Sequence, residues 1–441
     1  MRRTRLLIAA ATVVAAAVPA AWALGVANAA GDPTPAANIS ALASNWYGAA
    51  PYVMPLENSP PDLAPVMAAT GQRTFQLAFI LAGCGCAPAW VGTAPLTSDG
   101  RVAAIIGTVR GAGGDVSVAA GGYGGTKLGQ VCGTPAATAA AYQQVISRYS
   151  LKAIDFDLEE PEYENAAAIA NELGAAKILQ ANNPELYVSV TTAGTAAGTG
   201  WFGTELLKQA KAIGFTPTNY SIMPFDGGFN GAASQISALE AFHTILMNTF
   251  GWDSATAYAH EGVSMMNGRS DVGEYFYPAD FDAVLTYATS HRLSRYTFWS
   301  VNRDRQCPTD NGTTSGTCSS VQQADWAFTR FTAKFGGGTP PPTTSPTTSP
   351  TSSPKPTGSG SPTTSPKPTG TTSPTSPTTS PKPTGTPTPT AGTCPAAWNA
   401  STAYTTGSTV SYNGHVWTAR WWTYNDTPGG AAGVWTDGGA C

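Results

Sequence analysis

Between Tyr52 and Phe335 the chain alternates short strand-like stretches with helix-like ones, and that alternation most narrows the folds open to it. Strands are expected at Tyr52–Met54, Thr74–Ala82, Val116–Gly121, Ala153–Glu159, Leu186–Thr192, Tyr220–Asp226, Gly262–Met266 and Tyr296–Val301. Helices are expected at Asp62–Thr70, Asp99–Ala112, Pro135–Tyr149, Asn165–Gln180, Gly203–Ile213, Ala233–Phe250, Asp280–Ser290 and Val321–Phe335. Thr134 and Pro135 give the third helix a capping hydroxyl and a proline in its first turn. Eight strand–helix units in roughly 300 residues argue for an α/β fold of the (β/α)8, or TIM barrel, type. A doubly wound open sheet is the alternative, but no Gly-x-Gly-x-x-Gly follows an early strand to favour it.

Composition divides the rest of the chain. Arg2, Arg3 and Arg5 precede an apolar run to Leu24, and Ala27-Asn-Ala29 follows. That order predicts a secretory signal peptide over 1–29 and a secreted, extracellular protein. The barrel is expected over 36–335. Residues 336–393 are almost entirely Pro, Thr, Ser, Gly and Lys, with Ser-Pro-Lys-Pro-Thr-Gly repeated at Ser353, Ser365 and Ser380. With no apolar surface to bury, this stretch is predicted to be an extended linker of polyproline II character. It leaves a small module over 394–441. Charged residues are only 11% of the chain and the net charge is −4, so nucleic acid is excluded as a partner. No later segment is apolar enough to cross a membrane. Seven cysteines in an exported chain suggest disulfides. Cys394 with Cys441 and Cys307 with Cys318 are the expected pairs. Of the other three, Cys86 is paired with Cys132 and Cys84 is left free. No His stands at zinc-ligand spacing to these thiols, so neither a metal nor a cofactor is expected.

Ala153-Ile-Asp155-Phe-Asp157-Leu-Glu159 alternates strictly. In a strand, Asp155, Asp157 and Glu159 share one face and Ile154, Phe156 and Leu158 the other. The apolar face would pack on the helices and the acids would point into the barrel. Glu159, last in the strand, would lie at the C-terminal mouth, where such barrels keep their active sites. A solvated edge strand or a cation site are the other readings of such a run. The Cα atoms of Asp157 and Glu159 would lie ~7 Å apart. Carboxylates that close raise one another's pKa, so one can stay protonated and donate its proton.

This run resembles the Asp-x-Asp-x-Glu core of the family-18 glycoside hydrolases, on the fourth strand of their barrel. Lys152 and Ala153 stand where that family begins with Asp-Gly. Ala50-Pro-Tyr-Val53, Phe75-Gln-Leu-Ala-Phe-Ile80, Ala119-Ala-Gly-Gly122 and Tyr296-Thr-Phe-Trp-Ser300 are similar to its first, second, third and last strands. The resemblance implies a retaining chitinase that uses substrate assistance. Glu159 would be the acid and base. Asp157 would orient the 2-acetamido group, and Asp155 would tune Asp157. Met223, Phe225, Asp226 and Trp299 would bind substrate, with Trp299 as the floor of the sugar site. The family's sixth strand carries a tyrosine hydroxyl for the acetamide oxygen; here Met223-Pro-Phe225-Asp226 lacks it, with Phe225 or Gly227 at the aligned position. Tyr47 and Tyr123 are candidates to replace it. Glu160, Glu162 and Glu164 are expected to open the next helix, where acids suit the dipole.

The last 48 residues carry five Trp, too many aromatics for so small a core. Their spacing, including Tyr404-x-x-Gly407 and Trp417-x-Ala419-x-Trp421-Trp422-Thr423, resembles a family 5/12 carbohydrate-binding module: a small, β-rich unit closed by a disulfide. The resemblance implies a binding face of Trp421, Trp422 and Tyr404, with Trp398, Trp417 and Trp435 in the core. Chitin and chitooligosaccharides are the implied partners, acted on by a monomer. An endo-β-N-acetylglucosaminidase and a non-catalytic chitin-binding lectin are the alternatives.

Overall fold

The computed structural model describes residues 42–309, 312–338, 394–400, 402–404, 407–420, 423–424, 426–430 and 434–440. The expected leader and nearly all of the expected linker lie outside them.

Eight parallel strands follow one another around a barrel: β1 Tyr52–Val53, β2 Thr74–Ala82, β3 Asp115–Gly121, β4 Ala153–Leu158, β5 Tyr187–Thr195, β6 Asn219–Met223, β7 Glu261–Met266 and β8 Arg295–Trp299. The outer helices are α1 Leu63–Thr70, α2 Gly100–Gly111, α3 Pro135–Tyr149, α4 Ala166–Asn182, α5 Trp201–Ala212, α6 Gly231–Phe250, α7 Pro278–His291 and α8 Ala327–Phe335. Side chains bridge β1 and β8. Thr297 Oγ1 donates to the Ala50 carbonyl at 2.5 Å, and Asn302 accepts from Met54 N–H at 2.9 Å and donates to its carbonyl at 3.1 Å.

The helix ends follow local chemistry. Thr134 accepts from Ala137 N–H and Asp62 from Ala64 N–H, as N-caps do. The last helix departs from expectation: it starts at Ala327, not Val321. Trp326 has φ 62, a left-handed conformation that no helix continues through. Buried Asp304 then takes the cap's role, accepting from Phe328 N–H and Thr329 N–H at 3.2 and 2.7 Å.

The strands' outward residues form the main apolar core with the helices. Ile154, Phe156 and Leu158 are each buried there, and Phe156 meets Tyr142 of α3 edge-on at 5.3 Å. The barrel interior is polar in its lower half, where Tyr52, Gln76, Ser117, Asp155, Ser189, Thr191 and Arg295 are all buried. After β7 a hairpin pairs Gly268–Arg269 with Tyr275–Phe276. Cys86–Cys132 and Cys307–Cys318 are bonded as expected, and Cys84 is free and exposed. Among the described residues no helix is long and apolar enough to cross a membrane.

The C-terminal module is β-rich. Thr409–Tyr412, His415–Ala419 and Trp435–Ala440 form an antiparallel sheet, and Ala403–Tyr404 pairs with Thr423–Tyr424. Val410, Ala419, Val434 and Trp435 make its small core, with Trp398, Tyr404 and Trp417 packed against them. Cys394 is disulfide-bonded, and Cys441, its expected partner, lies outside the described residues.

Candidate active site

The alternation in β4 places the acids inside the barrel. Asp155 pairs in register with Ala119 on one side and Ser189 on the other; Asp157 stands between Gly121 and Thr191. Small neighbours leave the carboxylates room. Gly121 has φ 104, and a Cβ there would lie 2.0 Å from the Asp157 carbonyl. A Cβ on Gly122 would come within 2.6 Å of the Phe79 ring. That close approach is why two glycines end β3.

Asp155 is the best-held acid. Its Oδ1 accepts from Arg295 Nη1 at 2.7 Å, Ser189 Oγ at 2.5 Å and Thr191 Oγ1 at 3.0 Å. Its Oδ2 accepts from Tyr52 Oη at 2.8 Å and Gln76 Nε2 at 3.0 Å. Arg295 and Asp155 are both fully buried, so this ion pair tolerates burial only because hydrogen bonds surround it.

Asp157, one turn of the pleat above, is held differently. Its Oδ2 accepts from Tyr52 Oη at 3.0 Å, while its buried Oδ1 has no hydrogen-bond partner among the described residues. Burial pushes its pKa up to about 8; the nearby Asp155 charge adds to this, and the Tyr52 bond and Arg295 oppose it. Asp157 therefore holds a proton near neutral pH. Glu159 follows the last strand residue at the C-terminal mouth and is half-buried. Desolvation carries its pKa well above the ordinary range, helped by Asp157, Glu160 and Asp226 and opposed by Lys127. A raised pKa at a partly open position is what a proton donor needs.

The rest of the mouth is aromatic and apolar. Trp299 at the end of β8 is half-buried and stacks on Phe79 at 5.5 Å, its ring tilted by only 13°. Tyr52 meets Trp299 edge-on at 5.7 Å. Peptide bonds Ala78–Phe79 and Trp299–Ser300, one beside each ring, are both cis. Met223 is buried at the end of β6 and Phe225 is half-buried just beyond it.

Both the barrel and the small module are similar to known proteins. Residues 397–436 match the carbohydrate-binding module family 5/12. The catalytic domain of a hyperthermophilic chitinase from Pyrococcus furiosus superposes with a TM-score of 0.58 at 27% identity, over 65% of this chain and 93% of that one. Catalytic-site mutants of the same organism's chitinase, complexed with chito-oligosaccharides, match with the same score at 26% identity over the same shares. A probable bifunctional chitinase/lysozyme of Escherichia coli (strain K12) is 28% identical over 306 residues, covering 65% of this chain and 34% of that protein. Endochitinase 11 of Metarhizium anisopliae is 28% identical over 276 residues, covering 58% of this chain and 52% of that protein. This chain thus spans about a third and about half of those two curated relatives.

The barrel of this chain is thus similar to a chitinase catalytic domain, and residues 397–436 are similar to a family 5/12 carbohydrate-binding module.

Several residues of this barrel have surroundings that the sequence did not indicate. Tyr47 cannot supply a hydroxyl at the mouth, because it donates to Asp115 at 2.7 Å, at the opposite end of the strands. Tyr123 lies on the loop after β3 with its side chain 74% exposed. Asp226 has φ 55, and its Oδ1 accepts from Val272 N–H at 3.0 Å. Glu274 fixes the same loop, accepting from the N–H groups of Asp226, Gly228 and Phe229 at 2.7, 2.6 and 2.6 Å. Glu162 does not open a helix: Asn165 is the N-cap, and Glu162 is fully buried in the preceding loop. Pro161 and the turn from Asn165 N–H to the Glu162 carbonyl fold it inward, toward Glu172 of α4.

Tyr52, Gln76, Phe79, Lys127, Glu274 and Arg295 were missed as site residues. Gln76 carried a signal, since it interrupts the mostly apolar run Phe75–Ala82. In the module, Tyr404 is half-buried against Trp435 at 5.3 Å, and its hydroxyl accepts from Asn399 N–H at 2.8 Å. Trp421 and Trp422 lie outside the described residues.

Proposed function

We propose that the chain hydrolyses β-1,4-linked N-acetylglucosamine polymers with retention of configuration, by a substrate-assisted mechanism. The observation that carries this reading is the pairing of Asp157 and Glu159: a buried acid with one unpartnered oxygen below, and a partly open acid of raised pKa above it. Glu159 protonates the glycosidic oxygen as the C1–O bond breaks. The substrate's own acetamide oxygen attacks C1 and forms an oxazolinium ion, so no enzyme nucleophile is needed. Asp157 Oδ1 accepts from the acetamide N–H and, through that bond, shares the positive charge that develops. Asp155, anchored by Arg295 and four hydroxyl or amide donors, keeps Asp157 in place. Glu159 then takes a proton from the water that opens the oxazolinium ion. Trp299, stacked on Phe79, offers its free face to the sugar.

The C-terminal module would hold the enzyme on solid chitin through Trp421, Trp422 and Tyr404. Export under the 1–29 leader is part of the same proposal, and the two barrel disulfides fit an oxidising compartment. The missing hydroxyl at Phe225 favours one competing reading, a chitin-binding lectin. Chitooligosaccharide cleavage, with the product anomer followed by NMR at early times, separates them. Wild type should release the β-anomer, and Glu159→Gln should lose roughly a thousandfold in kcat. Binding without cleavage by the wild type would favour the lectin. α-Anomer product would refute retention. Unchanged retention of a Trp421→Ala, Trp422→Ala double variant on chitin beads would remove the proposed module face.

A further inference from the structure

Lys127 stands in the short segment between β3 and α3 and is 1% exposed. A lysine so enclosed is uncommon, because an ammonium loses its water at high cost. Here the backbone replaces that water. Nζ donates to the carbonyls of Tyr123, Gly124 and Gly125 at 3.0, 3.1 and 3.3 Å, which uses all three of its N–H groups. The loop is shaped for this: Gly122 and Gly125 have φ 82 and 72, and a Cβ on either would run into Phe79 or Leu81. Lys127 N–H is itself fixed by Gln130 Oε1 at 2.8 Å.

The charges around it are one-sided. Burial lowers the ammonium's pKa, while Glu162, Glu159, Asp157 and Glu160 all act to raise it. Those acids come from β4 and the loop after it. Behind them Glu172 of α4 accepts from Gly129 N–H at 2.6 Å and from Tyr142 of α3 at 3.0 Å. Asp226, on the loop after β6, faces Glu159 from the other side, and Tyr163 stands against Glu160. Of the other buried cations, Arg295 is committed to Asp155 below, and Arg303 faces Asp226 and Asp271 and donates to the Arg269 carbonyl.

We propose that Lys127 is a positioning residue of this site: its ammonium gathers the 123–125 loop at the barrel mouth and supplies positive charge to the acids around Glu159. This rests on the reading of Glu159 as the acid. The lysine's charge keeps several enclosed acids from pushing one another's proton affinity beyond use. Its cage of carbonyls also sets where Tyr123 stands beside the mouth.

The test is the pH profile of kcat/KM for chitooligosaccharide cleavage. Removing the charge in Lys127→Met or Lys127→Gln disfavours the Glu159 carboxylate. The alkaline limb should then move up by roughly half to one pH unit. Lys127→Arg, which keeps the charge, should hold the limb near the wild-type position. An unmoved limb in both neutral variants would overturn the proposal. A second measurement needs neither variants nor turnover. In the spectrum of wild-type protein labelled with 15N-lysine, Lys127 should appear as a charged, exchange-protected ammonium at pH 6. A neutral amine there would overturn the proposal too. If the wild type cleaves nothing, the enzymatic reading fails, while the ammonium signal still decides whether Lys127 carries the charge.

Discussion

The Tyr52 hydroxyl lies 2.8 Å from Asp155 Oδ2 and 3.0 Å from Asp157 Oδ2, so one proton serves two carboxyl groups. Tyr52 comes from the first strand, about a hundred residues away in sequence, yet it is the only described group that bonds both acids directly. Its bond to Asp157 favours the charged carboxylate and so works against the rise in that acid's pKa.

Tyr52→Phe should therefore raise the Asp157 pKa beyond its present value of about 8. A hydrogen bond to a charged group contributes about 1.5–3 kcal/mol, so kcat should fall roughly tenfold or more with little change in KM. Steady-state kinetics across pH would check this. A fall confined to KM would show that Tyr52 serves binding alone.

Arg295→Met should cost the fold about 3–5 kcal/mol, because it leaves the Asp155 charge buried and unpaired. Urea unfolding would measure it. An Asp155→Asn, Arg295→Met double variant should recover part of that loss, since it removes both charges together.

Stability should fall as pH rises from about 4 to 8. Burial lifts Asp157 to about 8 and Glu172 to about 7. Unfolded carboxyl groups release their protons near pH 4, so through this window the folded chain binds more protons than the unfolded one. The stabilisation is complete below pH 4 and is gone once each folded pKa is passed. Melting temperature measured from pH 5 to 8 should decline, and Glu172→Gln should flatten the decline. An equal slope in that variant would contradict the assignment.

Glu274→Ala should loosen the loop that carries Asp226. Three backbone N–H groups lose their acceptor, and Asp226 keeps only its side-chain ties to the 270–272 turn. A several-fold rise in KM is expected, with faster proteolytic nicking between Asp226 and Asn230. Protection from nicking equal to wild type would argue against the latch.

Much of this was legible in the chain because the signals were local. Thr74–Ala82 and Pro135–Tyr149 have the expected ends, one from its apolar run and one from its cap and proline. The inward face of β4 followed from alternation alone. What escaped was decided at long range. Tyr52, Gln76 and Arg295 reach Asp155 from three other strands, and no spacing in the sequence announces that meeting. Glu162 looked like a helix-opening acid because nothing nearby shows Glu172, ten residues on, waiting to enclose it. The start of α8 was misplaced for a similar reason, since Asp304 caps it from more than twenty residues upstream.

The polar lower half of the barrel makes the acid motif hard to transplant. Its five-residue run can be copied into any parallel strand, but Asp155 would arrive there without the guanidinium, phenol, amide and two hydroxyls that four other strands supply here. A designer borrowing this chemistry would have to import a cross-section of the barrel, not a stretch of sequence. Natural drift meets the same barrier, since losing the donor group of any one partner leaves Asp155 a bond short.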